Sequence, residues 1–201
     1  MAVALMATAC QHSAPTPADT LEQTRSVIAP ELRQLGARNW VVIADPTYPI
    51  PSGAGAVTVS VPTGTADTFR EVLDQLELQA SLTPRIWVCN ELAAVPEERA
   101  PGIGDYRKSV NNLLSGRFCY RLDERIISMQ LAEAAKQYRV LYIKTETRLP
   151  YSTIAIELDS GYWDSSDETE IRERLKKLTP TPATTLPPAQ PLPVAQPGTT
   201  A

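Results

Sequence analysis

Apolar and polar positions alternate along the chain in two rhythms, and their order predicts the architecture. "NWVVIA" is a continuous apolar, β-branched run, the pattern of a strand covered on both faces. "AVTVSV" alternates with period two and predicts a second strand. "TADTFREVLDQLELQ" places Phe69, Val72, Leu73 and Leu76 on one face of a helix. "RIWVCN" predicts a strand, "GDYRKSVNNLLSG" a helix and "RFCYR" a short strand. "DERIISMQLAEAAKQY" predicts a helix with acids in its first turn. "RVLYIKT" and "TIAIEL" predict two more strands, and "DETEIRERLKKL" a last helix, acidic at its start and basic at its end. Near "SVIAPELRQLGA", Pro30 suits a first helical turn and Gly36 a C′ position, which predicts a short helix ending there. This alternation predicts a single three-layer α/β/α domain with a mostly parallel or mixed sheet.

The two ends break the rhythm. No charged residue precedes Asp19 or follows Lys177. Met1 to Ala9 is a short apolar run of small and aliphatic residues that stops at Cys10. It is too short to span a bilayer, but it has the length of a secretory apolar region, without the usual basic start. Ala7, Thr8 and Ala9 directly before Cys10 resemble a bacterial lipobox. The expectation is a clipped lipoprotein signal whose start codon lies upstream, with Cys10 carrying lipid and the protein in the cell envelope. If these residues are not a signal, the expectation is the cytoplasm. The segment after Leu178 has seven prolines, which fix φ and remove donors. It is expected to be an extended, disordered tail. The expected divisions are thus 1–19, signal and linker; 20–178, folded domain; and 179–201, tail.

Composition narrows the chemistry. The net charge of −4 and the scattered Lys and Arg argue against a nucleic-acid partner. The only histidine, His12, lies in the uncharged N-terminal stretch. The domain therefore lacks the side chain best suited to proton transfer at neutral pH. Three cysteines without CxxC spacing do not supply a zinc ligand set. Cys89 and Cys119 each close a predicted strand; they are either buried thiols or, in an exported protein, a disulfide. "SGAGAV" is followed by a strand pattern and not a helix, so it is no phosphate loop. No GxSxG elbow occurs. What remains is polar residues at strand ends, where α/β sheets bind ligands. These are Asp45; Asn90 and Glu91; Lys144, Thr145 and Glu146; and Tyr151, just before the last strand.

"VIAPELRQLGARNWVVIADPTYPIPSG", "VPTGTADTFREVLDQLEL" and "RVLYIKTETRLPYSTIAI" together resemble the RbsD/FucU family of D-ribose pyranases and L-fucose mutarotases. The resemblance runs from about Val27 to Ile156. It implies an RbsD-like fold, a ring-like homo-oligomer with sites at subunit contacts, no cofactor, and a small sugar as ligand. It also implies exchange of ring forms or anomers, in which a Gly-His histidine and an Asp move protons. Here the histidine position holds Ala37, whereas Asp45 matches. Tyr151 matches a sugar-binding Tyr, Thr153 stands in the Asn position, and the Thr-Gly-Glu turn becomes Thr145-Glu146-Thr147. Three functions follow from this. The first is a divergent monosaccharide-binding domain, catalytically impaired. The second is an active mutarotase with Asp45 as base and Glu146 as acid, and with Tyr151, Thr153 and Lys144 holding the sugar. The third is a structural envelope lipoprotein.

Overall fold

The computed structural model describes residues 15–163 and 165–178. The chain forms helix α1 (Pro17–Leu32), strands β1 (Trp40–Ala44) and β2 (Ala56–Ser60), and helix α2 (Thr65–Glu77). There follow β3 (Leu82–Cys89), a 3-10 turn (Asn90–Ala93), α3 (Ile103–Leu114), β4 (Cys119–Leu122) and α4 (Glu124–Gln137). The last elements are β5 (Val140–Lys144), β6 (Ile154–Ser160) and α5 (Ser165–Lys177). The described residues fall into two compact units, one ending before and one beginning at Ser165, and α5 belongs to the second.

Six strands make one mixed sheet in the order β2-β5-β1-β6-β3-β4. β2, β5 and β1 run parallel, as do β3 and β4. β6 lies antiparallel between β1 and β3. Alternation along the central strands divides the core in two. Val41, Ile43, Leu141, Ile143, Ile86, Val88, Ile154 and Ile156 pack with α1, α2 and α3 through Ile28, Leu32, Phe69, Val72, Ile103 and Val110. Val42, Ala44, Tyr142 and Ala155 pack on the other face against Ile127, Leu131 and Ala135 of α4. Every residue of β1 is buried because helices cover both faces, which explains its unbroken apolar run. The first unit is therefore the expected three-layer α/β/α domain.

α1 is longer than its apolar pattern predicts, and Pro30 lies in its last turn, not its first. The helix starts at a capping box. The Asp19 N–H donates to Thr16 Oγ1 at 3.2 Å, and the Thr16 N–H donates to Asp19 Oδ2 at 2.9 Å. Pro17 occupies the first helical position, where no N–H is missed. Pro30 has no N–H to give the carbonyl four residues earlier, so the last turn of α1 lacks one helical bond. Among the described residues no helix is long and apolar enough to cross a membrane.

Candidate functional site

Because β6 opposes the other five strands, one edge of the sheet gathers the carboxyl ends of β1 to β5 and the start of β6. Asp45, Asn90, Glu91, Lys144, Thr145, Glu146, Tyr151 and Thr153 all lie at this edge. Ala37 does not. It precedes β1 at the opposite edge, in a surface hollow with Gly36, Gln79 and Ser160. The five residues of β1 put about 17 Å between the two ends.

Asp45 ends β1 as an Asx turn. Its Oδ1 accepts from the Thr47 N–H at 2.7 Å and from the Thr47 hydroxyl at 2.5 Å. Oδ2 has no partner among the described residues, so one oxygen anchors the carboxylate and the other is an open acceptor. Asp45, Pro46 and Thr47 line one wall of a cleft of about 250 Å³, and Arg148, Leu149 and Pro150 line the rest. An acceptor and a guanidinium thus share a hollow just below the ~300–1,000 Å³ of usual ligand pockets. Of the sequence-predicted site residues, only Asp45 lines it.

The other candidates hold the edge in shape. The Lys144 ammonium donates to the carbonyls of Pro46 and Tyr48, clamping the loop that carries Asp45. Thr145 Oγ1 donates to the Ala44 carbonyl at 3.0 Å and lies 2.9 Å from Thr65 Oγ1. Thr147 Oγ1 accepts from the Thr65 N–H at 2.7 Å, capping α2, whose N-cap Gly64 has no side chain to do so. Glu146 is exposed between these two threonines. Tyr151 has φ of +57°, a left-handed backbone that costs a tyrosine ~1–2 kcal/mol, and its side chain is 43% exposed beside the cleft-lining Pro150. Tyr106 of α3 pins this segment by donating to the Ser152 carbonyl at 2.5 Å. Thr153 is buried, and its carbonyl lies 4.0 Å from the Cys89 sulfur.

On the α4 side a second polar group was not legible in the sequence. Tyr48 Oη lies 3.3 Å from Ser128 Oγ, and Ser128 donates to Glu124. Both Glu91 carboxylate oxygens accept from the Glu124 N–H at 3.1 Å, capping α4. Burial pushes the Tyr48 phenol up, and it pushes the Cys89 thiol up to about 12, with Glu91 and Glu124 adding to the effect. Cys89 is therefore no nucleophile at neutral pH. Both domain cysteines are free. They cannot pair, because Cys89 packs with the α4 layer and Cys119 with the other, three rows apart in the β3–β4 ladder. The signals that could have identified the caps were Glu91 two residues before the turn's end and Thr147 three residues after β5; both need the fold to be seen.

A larger hollow of about 400 Å³ lies between α1 and α2, lined by Arg25, Asp67, Arg70 and Glu71 among others. Its charges already engage one another: Arg25 bonds both Glu71 oxygens, at 2.8 and 3.0 Å, and Arg70 bonds Asp67 at 3.1 Å. Among the described residues no group of three His, Cys, Asp or Glu side chains could hold a metal. The cleft thus presents a carboxylate and a guanidinium, Asp45 and Arg148, to a polar ligand, and among the described residues nothing around it offers an imidazole.

No family model matches the chain, and no curated protein matches it. Among solved structures it is similar to Bacillus subtilis RbsD complexed with D-ribose, at 22% identity and a TM-score of 0.48, covering 66% of this chain and 90% of that one. It is similar to FucU from Bifidobacterium longum at 16% identity and a TM-score of 0.45, covering 66% and 92%. It is also similar to the fucose mutarotase in complex with L-fucose from Streptococcus pneumoniae, at 17% identity and a TM-score of 0.41, covering 65% and 89%.

Proposed function

We propose that the folded unit is a divergent RbsD/FucU-like monosaccharide-binding domain that is catalytically impaired. One observation carries the reading. The Asp45 carboxylate is anchored through Oδ1 with Oδ2 open, in a cleft shared with Arg148, and no imidazole stands near it among the described residues. An anchored carboxylate and a guanidinium accept from and donate to sugar hydroxyls. A ring-opening step needs in addition a group that exchanges protons near neutrality, and a positioned one contributes ~10²–10⁴-fold.

The position of Ala37 supports the impairment and bears on assembly. Ala37 and Asp45 stand at opposite ends of β1, so a pocket containing both positions requires two copies of the chain. The homo-oligomer implied by the sequence resemblance meets that requirement. In such an assembly Ala37 brings a methyl group where the resemblance calls for an acid–base.

Calorimetric titration with D-ribose and L-fucose tests the binding. The expected result is saturable binding of at least one sugar, weakened at least tenfold in Asp45→Asn. Equal binding by Asp45→Asn, or none by the wild type, overturns the reading. An active mutarotase using Asp45 and Glu146 is the second reading; it is disfavoured because Glu146 does not line the cleft. A structural envelope lipoprotein is the third. Cys10 and the Pro-rich tail lie outside the described residues. Envelope anchoring is tested by labelled palmitate, which should enter the wild type and not Cys10→Ala.

A further inference from the structure

A second hollow opens on the α4 face of the sheet, at the end of β1 far from Asp45. Its volume of about 320 Å³ falls within the ~300–1,000 Å³ of usual ligand pockets. Arg38, Trp40 and Glu157 line it from the sheet, and Gln130, Gln137 and Tyr138 from α4 and its C-cap. Two opposite charges share this space without bonding each other. The Glu157 carboxylate has no hydrogen bond or ion pair among the described residues. Arg85, its neighbour across the β3–β6 ladder, is committed to Asp159. The Arg38 guanidinium has no carboxylate partner among the described residues and reaches only the Tyr138 hydroxyl, at 3.5 Å. The remaining acid of the hollow, Glu133, is taken by Lys136.

We propose that this hollow binds a free α-amino acid, with its carboxylate on Arg38, its ammonium on Glu157 and its side chain against Tyr138. Both charged groups are held at a cost. Arg38 has φ of +71°; the only other non-glycine residue at positive φ among the described residues is Tyr151, beside the Asp45 cleft. Glu157 is a half-buried carboxylate, and burial raises its carboxyl. Strained backbone and a desolvated, unpaired charge are features that collect at ligand sites. The pair also selects the ligand. A bare cation is opposed by Arg38, a bare anion by Glu157, and a neutral sugar leaves both charges unanswered. A zwitterion answers both. A guanidinium takes a carboxylate through two parallel N–H···O bonds. Glu157 stands directly opposite Trp40 in the β1–β6 ladder, so an ammonium on its carboxylate also lies beside an indole ring, a favourable neighbour for a cation. The inference does not rest on the sugar reading.

Saturation-transfer NMR of the full chain with each of the standard L-amino acids at pH 7, followed by titration, tests it. The expected result is saturable binding of at least one of them, weakened at least tenfold in Arg38→Gly and in Glu157→Gln. Arg38→Gly relieves the left-handed backbone and Glu157→Gln removes a half-buried charge, so neither loss can be laid to unfolding. Two analogues of the bound amino acid assign the ends. Its carboxamide should bind the wild type at least tenfold more weakly than the free acid, and the difference should vanish in Arg38→Gly. Its N-acetyl derivative should show the same loss, vanishing in Glu157→Gln. Three results overturn the proposal: no amino acid saturates the wild type, either variant binds as tightly as the wild type, or the discrimination against an analogue survives in the matching variant.

Discussion

Tyr151 and Glu71 show how single residues divide between site and scaffold. Tyr151 is held at positive φ, a strained backbone for a tyrosine, and is 43% exposed. Tyr151→Gly should therefore raise stability by up to ~1 kcal/mol in denaturant titration while weakening sugar binding; a loss of stability would show that the ring packs instead. Glu71 is the reverse case. It is 2% exposed inside α2 and is held by Arg25 and by Gln75 at 2.9 Å. Burial pushes its carboxyl up, but the bonds from Arg25 and Gln75 outweigh that and leave it below its ordinary value. Arg25 is itself nearly half exposed, so the pair is partly screened, and Glu71→Ala should cost about 1–3 kcal/mol. With a lowered folded value, this stabilisation is present above the ordinary carboxylate range. It is lost as pH falls through the folded value, so wild type and Glu71→Ala should converge in stability in acid.

At the scale of elements, the periodicity of apolar positions encodes most of the architecture. All six strands and helices α2, α3 and α4 are visible as apolar, alternating or 3.6-period runs, because each buries a defined face, whereas α5 is marked by its acidic start and basic end. α1 was half hidden. Its first turns carry few apolar residues, and its start is encoded in the four-residue box Thr16-Pro17-Ala18-Asp19, which lies inside a segment with the composition of a linker. The site was legible only as an edge. Asp45 could be singled out at a strand end, but Arg148, Tyr106 and the caps from Glu91 and Thr147 come from distant segments that only the sheet order brings together. Glu157 of β6 shows the same limit. Its position on the strand is plain, yet only the fold shows that burial raises its carboxyl, with Arg85 opposing. A raised folded value means that the group favours the native state least once pH exceeds that value. Glu157→Gln should raise the melting temperature at pH 8, and the gain should vanish by pH 4; an equal gain at both would refute the burial argument.

At the scale of the whole molecule, the α/β/α unit supplies a sheet edge at which five strands end and one begins, and its polar groups are mostly committed to holding that edge. What is left open is a small cleft with one free carboxylate oxygen and one guanidinium, at the far end of β1 from Ala37. On the proposed reading that arrangement holds a sugar through the carboxylate and the guanidinium, with no imidazole among the described residues to move its protons. The most direct test is saturation-transfer NMR on the anomeric signals of D-ribose and L-fucose at high protein concentration, across neutral pH. The account predicts binding with anomer exchange no faster than in buffer. Accelerated exchange that disappears in Asp45→Asn would contradict it.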